Sequence, residues 1–239
     1  GGYQGIGFAI PTNMARPIMN SLISTGKVVR GWLGVTIQDV TRELKEALGL
    51  STDRGVLIGD VVDGSPAARA GLRRGDVVVK IGTRATPRSS DLRNAIASAG
   101  AGKRVELEVV RGGKRQTVPV VLGEMPADEG RVAGGGSRGG GDRGTPAADL
   151  GVRVAPLSRA NRQRYDIGRD VTHGVVVTGV SPDSVAAEIG LREGDVILQV
   201  NRTAIKSARQ LEQAYRKAGK KVALLIHRGG GTVYVVVTK

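Results

Sequence analysis

The chain has no cysteine, two histidines (His173 and His227) and only six aromatic residues among 239. Without cysteine, disulfides and thiolate metal centres are excluded, while the redox compartment stays open, since a periplasm and a cytosol suit such a chain equally. Gly-x-Ser-x-Gly and His-Glu-x-x-His are both missing, and no cluster of carboxylates flanks a cleft, so no catalytic residue, metal ligand or cofactor is assigned. No apolar run approaches the roughly 18 residues needed to cross a bilayer as a helix. With so few aromatics, the cores must be built from Val, Leu, Ile and Ala, and the valine-rich runs read as strands.

The charge balance is uneven, with 36 Lys and Arg against 22 Asp and Glu, a formal +14. Such an excess invites nucleic acid or an anionic membrane surface. The basic residues are scattered, however, as singles and pairs at turns (Arg73-Arg74, Lys103-Arg104, Lys114-Arg115, Lys220-Lys221), and aromatics for base stacking are nearly absent. No specific nucleic-acid partner is expected.

What the chain does contain is a repeat. Residues 55–92 align without a gap on residues 174–211, with 14 identities in 38 positions, including Gly-Leu-Arg-Arg-Gly-Asp-Val (71–77) against Gly-Leu-Arg-Glu-Gly-Asp-Val (190–196). That length is a domain's worth rather than a solenoid unit, so the expectation is a tandem duplication. The first copy, residues 30–123, reads as strands at 35–40, 55–61 and 76–81. A short helix 66–70 sits between Ser65-Pro66 and Gly71, and a longer one spans Ser89–Ala99 with Leu92 and Ile96 inward. A hairpin then turns around Arg111-Gly112-Gly113-Lys114. The second copy, 149–239, keeps this order, with Leu211 and Tyr215 inward on its second helix.

Between them, eight of residues 130–144 are glycine, which no packed core could use, so residues 124–148 are expected to be a flexible linker. As a random coil its ends lie roughly 25 to 30 Å apart on average. Residues 1–29 read as one strand (Gly5–Ile10, closed by Pro11) and one helix starting at Thr12 or Asn13 with Met14, Ile18 and Leu22 on one face. One strand and one helix cannot bury an apolar face alone, so this segment is expected to be the last piece of a larger domain.

A short motif heads each copy: Arg30-Gly31-Trp32-Leu33-Gly34-Val35 in the first, Asp149-Leu150-Gly151-Val152 in the second. A glycine between apolar residues lets successive backbone N–H groups point into one concavity and hold an anion such as a carboxylate. The strand that follows could take a peptide as an added strand beside the second helix. In the first copy this reading assigns Arg30, Leu33, Gly34, Val35, Thr36, Ile37, Leu92 and Ile96 to peptide binding. In the second it assigns Leu150, Gly151, Val152, Val154, Leu211 and Tyr215, as the weaker site, because Asp149 would repel a carboxylate at close range.

Together these features resemble PDZ domains in the bacterial arrangement. The front end, Gly5-Ile6-Gly7-Phe8-Ala9-Ile10-Pro11 and then Gly26 to Val35, resembles the junction of protease and first PDZ domain in HtrA/DegP-like serine endoproteases. The resemblance implies a mainly β fold with short α elements: two PDZ-like, partly open β-barrels in tandem, preceded by the last strand and helix of a chymotrypsin-like protease domain. It implies a catalytic triad upstream of Gly1, so that this chain carries none of it. It also implies a periplasmic or envelope location, unfolded polypeptides or apolar protein C-termini as partners, and trimer-based homo-oligomers formed through the protease domain. The alternatives are a protease-free tandem PDZ scaffold and a basic nucleic-acid binder.

Overall fold

The valine-rich runs and glycine turns become two sheets built to one plan. The structure, a computed structural model, describes residues 29–125, 144–147 and 149–239, with Thr12, Arg16, Met19, Leu22 and Ile23 as isolated helical positions. The strand expected at residues 5–10 and the linker's residues 126–143 lie outside the described residues.

The first unit runs β1 (Gly31–Trp32), β2 (Val35–Asp39), α1 (Arg42–Leu48), β3 (Val56–Val61), α2 (Pro66–Arg69), β4 (Val77–Ile81), β5 (Arg84–Ala85), α3 (Ser89–Ala99), β6 (Arg104–Arg111), β7 (Lys114–Val121) and β8 (Gly123–Glu124). The second runs β9 (Thr145–Ala147), β10 (Val152–Pro156), α4 (Arg159–Arg164), β11 (Val175–Val180), α5 (Val185–Glu188), β12 (Val196–Val200), β13 (Thr203–Ala204), α6 (Ala208–Lys217), β14 (Lys221–Arg228) and β15 (Gly231–Thr238). Strand order is β2-β3-β4-β6-β7 in the first sheet and β9-β10-β11-β12-β14-β15 in the second, all antiparallel and both open. Thr145–Ala147, at the end of the span read as linker, are thus a strand of the second sheet.

Helix starts follow local chemistry. Ser65 and Ser184 cap α2 and α5, each hydroxyl accepting a backbone N–H three residues on (3.1 and 3.2 Å), and Ser207 does the same for α6 at 3.2 Å. The repeated Gly-Asp also has a structural task. Asp76, 1% exposed, accepts the Arg73 N–H at 2.8 Å and both arms of the Arg111 guanidinium at 2.7 and 2.6 Å, while Arg111 donates onward to the Gly71 carbonyl at 2.8 Å. Asp195, Arg192, Arg228 and Gly190 repeat this arrangement in the second unit. A buried carboxylate tolerates its site only with such pairing.

Each sheet covers a core of its own: Leu33, Ile58, Val78, Leu92 and Leu107 in the first, Leu150, Val177, Ile197, Leu211 and Leu224 in the second. A third apolar cluster joins the two units. Leu44 and Leu48 of α1, with Leu57 and Val77, pack together with Val176, Val196, Leu225 and Tyr234. This explains why β3 and β11 read as unbroken apolar runs: Val56 and Ile58 face one core while Leu57 faces the other, and Val175, Val177 and Val176 divide in the same way. Polar contacts fasten the joint. The Gln38 amide accepts the Tyr234 N–H at 2.7 Å and donates to its carbonyl at 3.1 Å. Arg202 donates to the Leu48 carbonyl at 2.9 Å, and Lys221 pairs with Glu46 at 2.6 Å. The second unit is therefore seated on the first through packed side chains.

His227 on β14 is buried, and burial pushes its imidazole below the ordinary histidine range against the opposing pull of Asp170, Asp60 and Asp195. A lowered native pKa means the unfolded chain binds the proton more readily. This contribution to stability is full above the unfolded value of about 6.5 and is lost as pH falls toward the native one. The urea midpoint should therefore drop between pH 7 and pH 5.5, and His227→Gln should flatten that drop; an unchanged slope in the variant would assign the drop to other groups.

Candidate peptide grooves

The first groove begins at the Leu33-Gly34-Val35 loop. Leu33 is anchored in the core, and its carbonyl accepts the Ala67 N–H at 2.9 Å; the Gly34 carbonyl accepts the Val62 N–H at 2.9 Å. Gly34 has φ +77, and a Cβ there would stand 2.3 Å from the Cβ of Ser65, so the loop can pass Ser65 only as glycine. With both carbonyls tied down, the N–H groups of Leu33 and Gly34 donate to no backbone carbonyl among the described residues. β2 follows directly as the sheet's edge strand, paired among the described residues with β3 alone, and α3 packs across it. The result is a strand edge beside a helix, closed at one end by unused amide donors.

The expected residues take distinct places here. Val35 and Ile37 are half-buried against the first core, Ile96 is 6% exposed, and Leu92 is wholly interior at 0%. Leu92 supports the groove from beneath. The Thr36 side chain lies beside Gly231 of the second unit, leaving its backbone at the strand edge. Arg30 is exposed just before β1.

The second loop has the same frame. The Leu150 carbonyl accepts the Ala186 N–H at 3.1 Å, and the Gly151 carbonyl accepts the Ser181 N–H at 2.9 Å. Gly151 has φ +75, with Ser184 beside it. Leu150, Val152, Val154, Leu211 and Tyr215 are all buried, and burial first, then the nearby Asp149 charge, raises the Tyr215 phenol above its ordinary value. The Lys239 ammonium donates to the Tyr215 carbonyl and lies over its ring. Asp149 is not the bare charge the sequence suggested. Arg216, in the last turn of α6, pairs with it at 2.7 Å. Sequence reasoning missed Arg216, and it missed Ala147, whose carbonyl accepts the Leu150 and Gly151 N–H groups at 3.2 and 3.1 Å. No periodicity in Thr145-Pro146-Ala147 marks it as a strand.

A glycine-centred loop, the strand that follows it and a flanking helix, all present twice, define a pair of PDZ domains. Two family models, each described as PDZ domain, match residues 31–122 and residues 144–227. The chain carries two PDZ domains in tandem and, over nearly its whole length, is similar to HtrA/DegP-like proteins. It is 37% identical over 238 residues to a probable periplasmic serine endoprotease DegP-like of Pseudomonas putida, covering 98% of this chain and 48% of that protein. It is 40% identical over 238 residues to the protein of the same description from Chlamydia muridarum, covering 99% and 45%. The chain thus spans about half the length of the curated relatives it matches. Among solved structures, HtrA-type protease AlgW with decapeptide is 39% identical over 52% of this chain and 38% of its own, with a TM-score of 0.45.

Proposed function

We propose that this chain is the peptide-capturing region of a periplasmic HtrA/DegP-like serine endoprotease engaged in protein quality control, and that its first groove binds apolar protein C-termini and extended segments of unfolded polypeptides. The N–H groups of Leu33, Gly34 and Val35 hold the terminal carboxylate, the β2 edge from Val35 to Ile37 pairs with the peptide backbone, and Val35, Ile37 and Ile96 receive the last side chain. The backbone of Thr36 continues the edge, Leu92 fixes the floor, and Arg30 adds favourable charge near the mouth. Hydrolysis belongs to the triad of a protease domain, through which the parent assembles into trimer-based oligomers. Residues 1–29 are the end of that domain, residues 30–123 and 149–239 the two PDZ domains, and 124–148 the connection between them.

The observation that carries this reading is the pair of loop amides, Leu33 and Gly34, set beside an unpaired strand edge with no carbonyl to receive them among the described residues. The names of the relatives, periplasmic serine endoproteases, support the location and the parent activity. The test is competition by fluorescence anisotropy between two decapeptides ending in Val, one with a free carboxylate and one amidated. Charge-assisted bonds from backbone amides contribute about 1.5 to 3 kcal/mol, so amidation should weaken binding at least about 10-fold. Equal affinity for the two peptides would remove the carboxylate from the account.

A further inference from the structure

The second groove is filled from within. β9 lies antiparallel along β10, with Ala147 opposite Val152, Pro146 opposite Arg153 and Thr145 opposite Val154. Pro146 has no N–H to give, so the ladder's bonds fall on the two flanking pairs. At the end of this strand the Ala147 carbonyl takes the N–H groups of Leu150 and Gly151, the counterparts of the two first-loop amides that find no backbone carbonyl among the described residues. The Ala147 side chain is 4% exposed and belongs to the core cluster that holds Leu150, Leu211 and Tyr215, where the last side chain of a captured peptide would go. α6 packs along β9, and the Asp149–Arg216 pair ties the loop to the end of that helix. Gly144 brings the chain in closely: a Cβ there would stand 2.4 Å from Thr178 Oγ1 and 2.8 Å from the Val154 carbonyl oxygen.

We infer that residues 144–147 are the resident ligand of the second groove, an internal segment held as a peptide C-terminus is held, with the Ala147 carbonyl in place of a carboxylate oxygen. The inference rests on the carboxylate reading of the Leu-Gly-Val loop proposed above. A neutral carbonyl makes weaker bonds than a carboxylate, and a three-residue edge strand opens at lower cost than the sheet it joins. An external C-terminus therefore reaches this groove only in the fraction of molecules whose strap has lifted, and its apparent affinity falls by that fraction. The ligand chemistry the strap reports is a small apolar residue in the last position.

Two measurements on the full chain test this. Amide exchange followed by NMR, without peptide, compares the protein with Ala147→Asp, which cannot be buried in place, and Thr145→Pro, which alters an exposed position and deletes an N–H from the ladder. The expected result is exchange at Leu150 and Gly151 at least 10-fold faster in the variants, with Leu224 on β14 still protected. Unchanged exchange at Leu150 and Gly151 in Thr145→Pro would overturn the inference, whether or not Ala147→Asp folds. Titration calorimetry with the Val-ending decapeptide is expected to count one site in the unmodified chain and two in Thr145→Pro; two sites already in the unmodified chain would also overturn it. A chain that binds no peptide at either groove would sink the capture reading, while the exchange result still decides whether the strap is held.

Discussion

Replacing Arg111 with leucine is expected to lower the unfolding free energy by about 3 to 5 kcal/mol, much of the 5 to 15 kcal/mol that holds a typical domain together. The guanidinium is 29% exposed and could find water alone; the cost lies with its partner, since Asp76 is 1% exposed and would keep only one backbone N–H in the interior. Arg111→Lys should recover only part of the loss. A lysine ammonium cannot make both bonds to the carboxylate and also reach the Gly71 carbonyl in the planar arrangement that Arg111 uses. Urea unfolding of the three proteins checks this, and a leucine variant within about 1 kcal/mol of the parent, the range of an exposed ion pair, would show that the pair is not what fixes the repeated Gly-Asp. Because the two domains share the cluster of Leu57, Val77, Val176 and Leu225, damage in the first should also loosen the second.

The second large effect concerns capture rather than folding. Gly34→Ala is expected to weaken binding of a free-carboxylate peptide by about 30-fold, equivalent to about 2 kcal/mol, because a left-handed alanine costs roughly 1 to 2 kcal/mol and its Cβ must also be moved away from Ser65. The clash has a definite partner. A Cβ at residue 34 would stand 2.3 Å from Ser65 Cβ and 2.9 Å from Ser65 Oγ. Adding Ser65→Gly removes both atoms, and glycine at a helix N-cap costs only a few tenths of a kcal/mol, so the double variant should regain part of the affinity. Anisotropy titrations of both variants decide it. Affinity unchanged in Gly34→Ala would mean that the loop does not hold the terminus.

Much of this was legible in the residues. The gapless repeat announced two domains, and the Ser65-Pro66 and Gly71 signals placed α2 between its caps. The Leu-Gly-Val motif marked both loops. What escaped was non-local. Arg216 lies 67 residues beyond Asp149, so nothing near that aspartate shows its charge to be answered. Thr145-Pro146-Ala147 follows a glycine stretch with no alternating pattern, and its role as a strand is set by the groove it enters. The seating of one domain on the other was written in β3 and β11, where three consecutive apolar residues leave no solvent face, but a single run does not say which surface covers it. The glycine-rich stretch reads as a flexible linker and leaves the placement of the domains open; the shared cluster and the Gln38–Tyr234 bonds hold them together.

The central claim is that two copies of one loop have come to different uses, the first facing outward for peptide C-termini and the second closed on its own chain. Mapping amide NMR shifts while adding the Val-ending decapeptide tests it most directly, because Leu33, Gly34, Leu150 and Gly151 report in one titration. The account predicts that Leu33, Gly34 and the residues of β2 move with saturation while Leu150, Gly151 and β10 stay still. Shifts centred on Leu150, Gly151 and β10, with β2 unmoved, would contradict it.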